Sequence, residues 1–325
     1  MKNIIVFGAT GNIGVYLIDY LNENIDSEFK VYACGRRKTD FFKRYNIEYI
    51  NIDITKKEDF NKLPKESYAV VNLAGILPAY YKDFNPNTYI DTNITGAINI
   101  LEYARSSNAD RVLYTQTWAD LEGYWGKEEV LKPDMPRNLS YTGDHAFYAI
   151  TKCMVLDTME FYKREFGIKN FVFRLPNIYL YNPNKYYYVN GEKKYISYRY
   201  LIDKISNGDD IELWGNPDAF KDIIYVKDLC QMMYLAIKAN VNGGTYNAGT
   251  GVKTSFQDQI DGMIKVFGSS NKIIYKPEKP TFTSFVMDIS NAKKDLGYSP
   301  KYSYIDYLED YKKEQELKRF DEIWK

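Results

Sequence analysis

Ile4-Ile5-Val6-Phe7-Gly8-Ala9-Thr10-Gly11-Asn12-Ile13-Gly14 is the stretch that decides how the rest of the chain is read. A short apolar run marks a buried strand. Three glycines follow at once, and apolar residues at 13, 17, 18 and 21 then recur with helical period. A glycine loop between a strand and a helix has a physical use. The first glycine permits a tight turn, a later one lets the backbone approach a pyrophosphate, and the helix N-terminus offers N–H groups at the positive end of a dipole. Gly8, Thr10, Gly11, Asn12, Ile13 and Gly14 are therefore candidate ligands of a dinucleotide. The alternative, a merely tight β–α turn, is disfavoured because the loop sits in the first such unit of the chain.

Outward from this loop, strand-like runs at Lys30–Cys34, Glu48–Ile52, Ala69–Leu73, Arg111–Thr115 and Asn170–Leu175 alternate with helical segments such as Tyr89–Ala104. That alternation predicts an α/β fold, a Rossmann-type doubly wound parallel sheet over residues 1–175. Beyond Pro176 the rhythm breaks into a loop-rich stretch up to about residue 195. A smaller α/β C-terminal substrate lobe, 176–325, is expected there, with 215–250 returning to the first domain. Within it Val226–Ala239 and Phe256–Phe267 read as helices, Gly244–Ala248 as a short strand, and the end, from Tyr302 on, as a charged amphipathic helix.

Composition narrows the function. Forty-three basic and forty-three acidic residues cancel, so no overall field draws the chain to nucleic acid or an anionic membrane. Three scattered cysteines and one histidine, His145, argue against a disulfide framework, a metal site or an imidazole triad. The N-terminal apolar run is too short for a signal peptide or a membrane span, and a cytoplasmic protein is expected.

The GxxGxxG spacing resembles the short-chain dehydrogenase/reductase superfamily, and the GATGxxG form its extended branch, the NAD-dependent epimerase/dehydratase family. In an NAD site the second strand usually ends in Asp or Glu, which binds the adenosine ribose. Here the sequence is Ala33-Cys34-Gly35-Arg36-Arg37. Two guanidinium groups suit a 2′-phosphate, so NADP(H) is the preferred cofactor, with NAD(H) as the alternative and a solvated basic loop as the plain reading of the arginines. By the resemblance, Asp53-Ile54 lies beside the adenine and Leu73-Ala74-Gly75 lines the cofactor. Asn93 matches an asparagine that supports the proton relay, and an ordinary polar residue of a kinked helix is the competing reading.

Tyr148 and Lys152 stand one helical turn apart, on one face. An ammonium beside a tyrosine, with the positive charge of an oxidised nicotinamide, favours phenolate and makes Tyr148 a candidate acid and base. The pair alone is weak in a chain with 32 tyrosines. Its position after the fifth strand strengthens it, because in the resembled family that strand ends in a Ser or Thr that binds the reacting oxygen. Thr117 takes that place, with Thr115 as runner-up. His145 is left as a capping or packing residue.

Arg174-Leu175-Pro176-Asn177-Ile178-Tyr179 and Lys221-Asp222-Ile223-Ile224-Tyr225-Val226-Lys227-Asp228 resemble the family's substrate signatures. They imply that Asn177 reaches a substrate phosphate and that Lys221 replaces the usual diphosphate-binding arginine. The resemblance thus implies an oxidoreductase acting on a nucleotide-linked sugar at a ring carbon, C4 foremost, and a homodimer built on the helices carrying Asn93 and Tyr148. Members that dehydrate the sugar carry an ionisable pair after the relay threonine, where this chain has Trp118 and Ala119, so dehydration is disfavoured. A 4-keto reductase is preferred slightly over a 4-epimerase with recycled NAD. A non-catalytic dinucleotide sensor of the same fold is the third reading. The segments Tyr80–Pro86 and Asn182–Tyr198 are expected to frame the sugar.

Overall fold

Seven parallel strands build the central sheet: β1 (Lys2–Phe7), β2 (Phe29–Gly35), β3 (Glu48–Asn51), β4 (Ala69–Asn72), β5 (Arg111–Thr117), β6 (Lys169–Leu175) and β7 (Gly243–Asn247). Their order is β7-β6-β5-β4-β1-β2-β3. The structure is a computed structural model and describes residues 1–78, 83–143, 145–189, 191–268 and 271–324. The strands read from the sequence are all present, with ends that differ by one or two residues.

Side chains alternate across this sheet and both faces are covered, which is why its strands read as continuous apolar runs. Ile4, Val6, Val71, Leu113 and Phe173 pack on one face with the Asn12–Asn24 and Val226–Lys238 helices. Ile5, Phe7, Val70, Val112 and Val172 pack on the other with the Gly96–Ser106 and Ala146–Phe166 helices.

Two expectations need correction. The segment read as one helix over Tyr89–Ala104 is an α-helical turn at Pro86–Tyr89, a π-helical stretch at Ile90–Thr95 and an α-helix at Gly96–Ser106. Apolar periodicity cannot distinguish these windings. The loop-rich stretch after Pro176 contains an antiparallel hairpin, Tyr186–Val189 against Glu192–Tyr195, with Gly191 in its turn at φ 77°. Its tyrosines suit strands, a signal that the neighbouring Asn, Lys and Gly obscured.

Outside the central sheet, Ile211–Trp214 pairs in parallel with Ile273–Lys276, beside the Ser197–Ser206 helix. The Phe256–Phe267 and Tyr304–Leu317 helices each start at a serine capping box, Ser255 with Asp258 and Ser303 with Asp306. A chain of charges joins the Tyr304–Leu317 helix to the helices that cover the sheet. Lys227 pairs with Asp310 at 2.6 Å and Glu314 at 3.0 Å, while Arg319 pairs with Glu314 at 2.6 Å and with Asp19, on the helix after β1, at 2.9 Å.

A second buried pair ties the sheet to the loops above it. The Arg174 guanidinium donates to both carboxylate oxygens of Asp120, to Asn247 Oδ1 at 3.1 Å and to the Pro133 carbonyl at 3.2 Å. Removing one partner of such a pair costs about 3–5 kcal/mol, because the other charge stays buried. Arg174 thereby holds the chain after β5 against β6 and β7.

Candidate active site

Because all seven strands are parallel, the segments after β1, β2, β3, β4, β5 and β6 leave the sheet at one edge. The strand order reverses between β1 and β4, and a crevice at such a reversal is where open α/β sheets bind ligands. The Gly8–Gly14 loop and the Leu73–Gly75 segment flank it.

The glycines are there for close contact. Gly8 has φ 81°, and a Cβ on it would lie 2.7 Å from the Ala74 nitrogen. A Cβ on Gly14 would overlap the Gly8 carbonyl oxygen and come within 2.8 Å of Ala9 Cα. Gly11 occupies the N-cap of the Asn12–Asn24 helix, which has no side-chain cap bond and no acidic residue in its first turn. Thr10 is buried, Ile13 packs on the core, and Asn12 Oδ1 accepts a bond from the Asn182 amide at 2.9 Å. The chemistry of this cradle, an uncapped helix N-terminus without an acidic neighbour, fits a pyrophosphate.

Next to the glycine loop, Gly35 ends β2. A Cβ there would lie 3.0 Å from both Thr10 Oγ1 and the Tyr49 hydroxyl, so the turn runs against the glycine loop and leaves little room for an acidic side chain. Arg36 and Arg37 follow, both exposed. Asp53 closes its own turn by accepting the Thr55 N–H and hydroxyl, at 3.1 and 2.8 Å. Ile54 is buried under the Gly96 helix, where its Cδ1 would have to shift to admit a side chain at Gly96.

Asn93 connects the Leu73–Gly75 side to the helix carrying Tyr148. Its Oδ1 accepts the Ile76 N–H at 2.7 Å, and its amide donates to Thr151 Oγ1 at 3.2 Å. Thr151 in turn donates to the Tyr148 carbonyl at 2.8 Å. The π-helical stretch carries this residue, as such wide turns often do beside functional groups.

Tyr148 and Lys152 are both buried on the Ala146–Phe166 helix, and His145 occupies its N-cap position. Lys152 Nζ lies 4.0 Å from the centre of the Tyr114 ring. Among the described residues neither the Tyr148 hydroxyl nor Lys152 Nζ has a hydrogen-bond partner. Burial pushes the Tyr148 pKa up and brings that of Lys152 down to about 7. Both groups therefore resist charge until an opposite charge arrives. Thr117 ends β5 at the crevice, its Oγ1 accepting the Ala119 N–H at 3.2 Å, whereas Thr115 lies inside the strand opposite Phe173.

Farther out, Asn177 is exposed after β6, and Lys221 is half-buried with Nζ 4.1 Å from the Phe282 ring. Asp222 beside it is caged by N–H groups of Thr250, Gly251 and Met287. Trp118 packs against Trp125 and Phe285, ring centres 4.1 and 4.4 Å away. Of the segments expected to frame the sugar, 80–82 and 190 lie outside the described residues.

Sequence reasoning overlooked Tyr114 and Thr151, and it placed Asn182 only at the start of a segment expected to frame the sugar. Strand alternation could have put Tyr114 on the face of the relay helix, and the three-residue step from Tyr148 could have flagged Thr151. Nothing in the sequence links Asn182 to Asn12.

A doubly wound sheet with this loop, and a buried tyrosine and lysine at its carboxyl edge, defines a dehydrogenase-type nucleotide-binding protein. The profile of the NAD dependent epimerase/dehydratase family matches residues 4–249, and the chain belongs to that family. A putative UDP-glucose 4-epimerase of Methanocaldococcus jannaschii is 26% identical over 302 residues, covering 92% of this chain and 93% of the relative. The low-salt glycan biosynthesis protein Agl12 of Haloferax volcanii is 22% identical, covering 94% and 96%. Among solved structures, a UDP-N-acetylglucosamine 4-epimerase from Methanobrevibacter ruminantium in complex with UDP-N-acetylmuramic acid superposes with TM-score 0.78 at 20% identity, over 98% and 99% of the chains. UDP-glucuronic acid 4-epimerase from Bacillus cereus in complex with NAD gives 0.73 at 23%, over 96% and 97%. At those identities the structures speak for the fold.

The Lys152 shift has a measurable consequence in the cofactor-free protein. Its folded pKa lies below the unfolded value, so the unfolded chain binds more protons between about 7 and 10.5, and stability rises with pH across that window. Lys152→Met should therefore stabilise the protein at pH 7, by on the order of 4 kcal/mol at most, with the gain fading towards pH 10. Urea denaturation at both pH values tests this; a variant less stable than wild type at pH 7 would refute the buried, unpaired charge.

Proposed function

We propose that the chain is an oxidoreductase that moves hydride at a ring carbon, C4 foremost, of a nucleotide-linked sugar. The observation that carries this reading is a lysine buried without an anionic partner, one helical turn from a buried tyrosine, beside the crevice formed by the glycine loop. A nicotinamide dinucleotide, when bound, supplies the hydride donor or acceptor. Gly8, Thr10, Gly11, Asn12, Ile13 and Gly14 would hold its pyrophosphate, Arg36 and Arg37 its adenosine end, with Asp53 and Ile54 beside the adenine and Leu73 to Gly75 along the crevice. Tyr148 then takes the proton of the sugar hydroxyl as the carbonyl forms, or returns it in the reverse direction. Lys152 stabilises the phenolate, Thr117 binds the reacting oxygen, and Asn93 steadies the relay helix through Thr151. Asn177 and Lys221 would meet the nucleotide diphosphate, Lys221 as a point charge rather than a bidentate fork.

Trp118 and Ala119 offer no acid or base beside Thr117, which weighs against dehydration. Two readings of the redox outcome remain, each with its own support. The turn Gly35-Arg36-Arg37 favours a 2′-phosphate, NADP(H) and net reduction of a 4-keto sugar. The names of the relatives favour 4-epimerisation with retained NAD(H). Incubation with NADPH and a 4-keto nucleotide sugar should consume reduced nicotinamide if the first holds. Tightly co-purified NAD(H), with epimers interconverted and no net consumption, would replace it by the second. In either case Tyr148→Phe should lower turnover by at least about 10²-fold with cofactor binding intact; undiminished turnover would overturn the relay.

A homodimer through the helices carrying Asn93 and Tyr148 is part of the proposal. Ile98, Met154, Phe161 and Phe166 are exposed on those helices, at 38%, 48%, 56% and 44%. Apolar side chains of this size on neighbouring helices suit a second copy of the chain. Sedimentation should give a dimer for the wild type and a monomer for Phe161→Asp, and a wild-type monomer would contradict it.

A further inference from the structure

The short helix Asp321–Trp324 has no part in the chemistry above, yet it reaches the adenosine end of the crevice. The Ile323 carbonyl accepts a hydrogen bond from the Arg37 guanidinium. Glu322 pairs with Arg44 at 2.8 Å, and Arg44 lies 3.8 Å over the Phe41 ring. Ile323 and Phe320 are buried, and Phe320 meets Phe41 and Tyr16 with ring centres 6.1 and 4.7 Å away. Asp321 is turned to the Tyr181 hydroxyl, 3.3 Å away, so the acids of the segment are engaged elsewhere than on Arg37.

The same turn is held from the other side. The Tyr49 hydroxyl lies within hydrogen-bond reach of the carbonyls of both Gly35 and Arg37 and shares its one proton between them, and the Asn51 amide donates to those of Gly35 and Arg36. The backbone of the turn is therefore fixed from β3, and the side chain of Arg37 from the C-terminal segment. For the Arg36 guanidinium, no hydrogen bond or ion pair is found among the described residues.

We propose that the Asp321–Trp324 helix is a positioning element for cofactor selection, holding Arg37 through the Ile323 carbonyl so that its remaining donors meet the 2′-phosphate of a bound dinucleotide. A guanidinium has five donors in a rigid fork, and one bond to a carbonyl leaves the others for phosphate. A side chain fixed in advance loses less freedom on binding, so the helix sharpens the distinction between dinucleotides with and without that phosphate. This rests on the dinucleotide reading of the glycine loop and on the assignment of the arginine turn.

The test is direct binding of NADPH and NADH to the full chain, to a chain ending at Phe320, to Arg37→Ala, and to the shortened chain carrying Arg37→Ala. Thermal melting checks that each is folded, and Glu322→Arg serves as a milder variant that sets like charge against Arg44. Shortening should weaken NADPH binding about tenfold, leave NADH binding unchanged, and have no further effect once Arg37 is Ala. Glu322→Arg should move the NADPH to NADH ratio in the same direction. A full chain that prefers NADPH and keeps that preference after shortening overturns the positioning role alone, as does an equal loss in the Arg37→Ala background. A full chain that binds NADH as tightly as NADPH overturns the arginine assignment with it.

Discussion

The Gly8 carbonyl oxygen lies where a Cβ of residue 14 would have to be, and the rest of the site depends on that contact. It lets the first helix start close to the end of β1, with its N-terminus directed at the crevice between β1 and β4. The same loop touches Leu73 and Ala74 through Gly8 and the end of β2 through Thr10 and Gly35. One turn thus sets the positions of the glycine cradle, the arginine turn and the strip along β4. A side chain at either outer glycine would push these apart.

The proposed relay depends on desolvation. Lys152 is buried beside the Tyr114 ring rather than a carboxylate, so its charge is only weakly compensated in the cofactor-free chain. A carboxylate partner would hold the ammonium firmly but also neutralise its effect on Tyr148. An aromatic face supports the cation and leaves its field available. The contacts from Asn93 through Thr151 fix the helix that carries both groups, and the Arg174–Asp120 pair steadies the chain above β5. The burial that weakens the fold at neutral pH is the burial that makes the pair responsive to a charged ligand.

The sheet was legible because both its faces are covered, which leaves uninterrupted apolar runs in the sequence, and because the glycine loop marks the first β–α unit. Tyr148 and Lys152 were singled out by spacing and by family resemblance, and the structure buries both on one helix. The π-helical stretch was not, since Asn93 is bonded to Ile76 and Thr151, contacts that leave no local periodic trace. The Tyr186–Tyr195 hairpin was hidden by its Asn, Lys and Gly content. Arg174 reads as part of a substrate signature, yet its guanidinium is spent on Asp120 and Asn247. The docking of Ile323 on Arg37 joins residues nearly the whole chain apart, and no sequence pattern announces it.

The central claim is that the glycine loop binds a dinucleotide pyrophosphate. Gly11 offers the cleanest test, because its backbone suits any residue, it stands at the N-cap of the first helix, and a Cβ there would meet only the Gly8 carbonyl oxygen, at 3.1 Å. Binding of NADPH and NADH to wild type and Gly11→Ala, measured by nicotinamide fluorescence alongside urea denaturation, separates fold from site. The account predicts a folded variant of near wild-type stability with both cofactors bound at least about tenfold more weakly. Unchanged binding in a folded Gly11→Ala protein would contradict it.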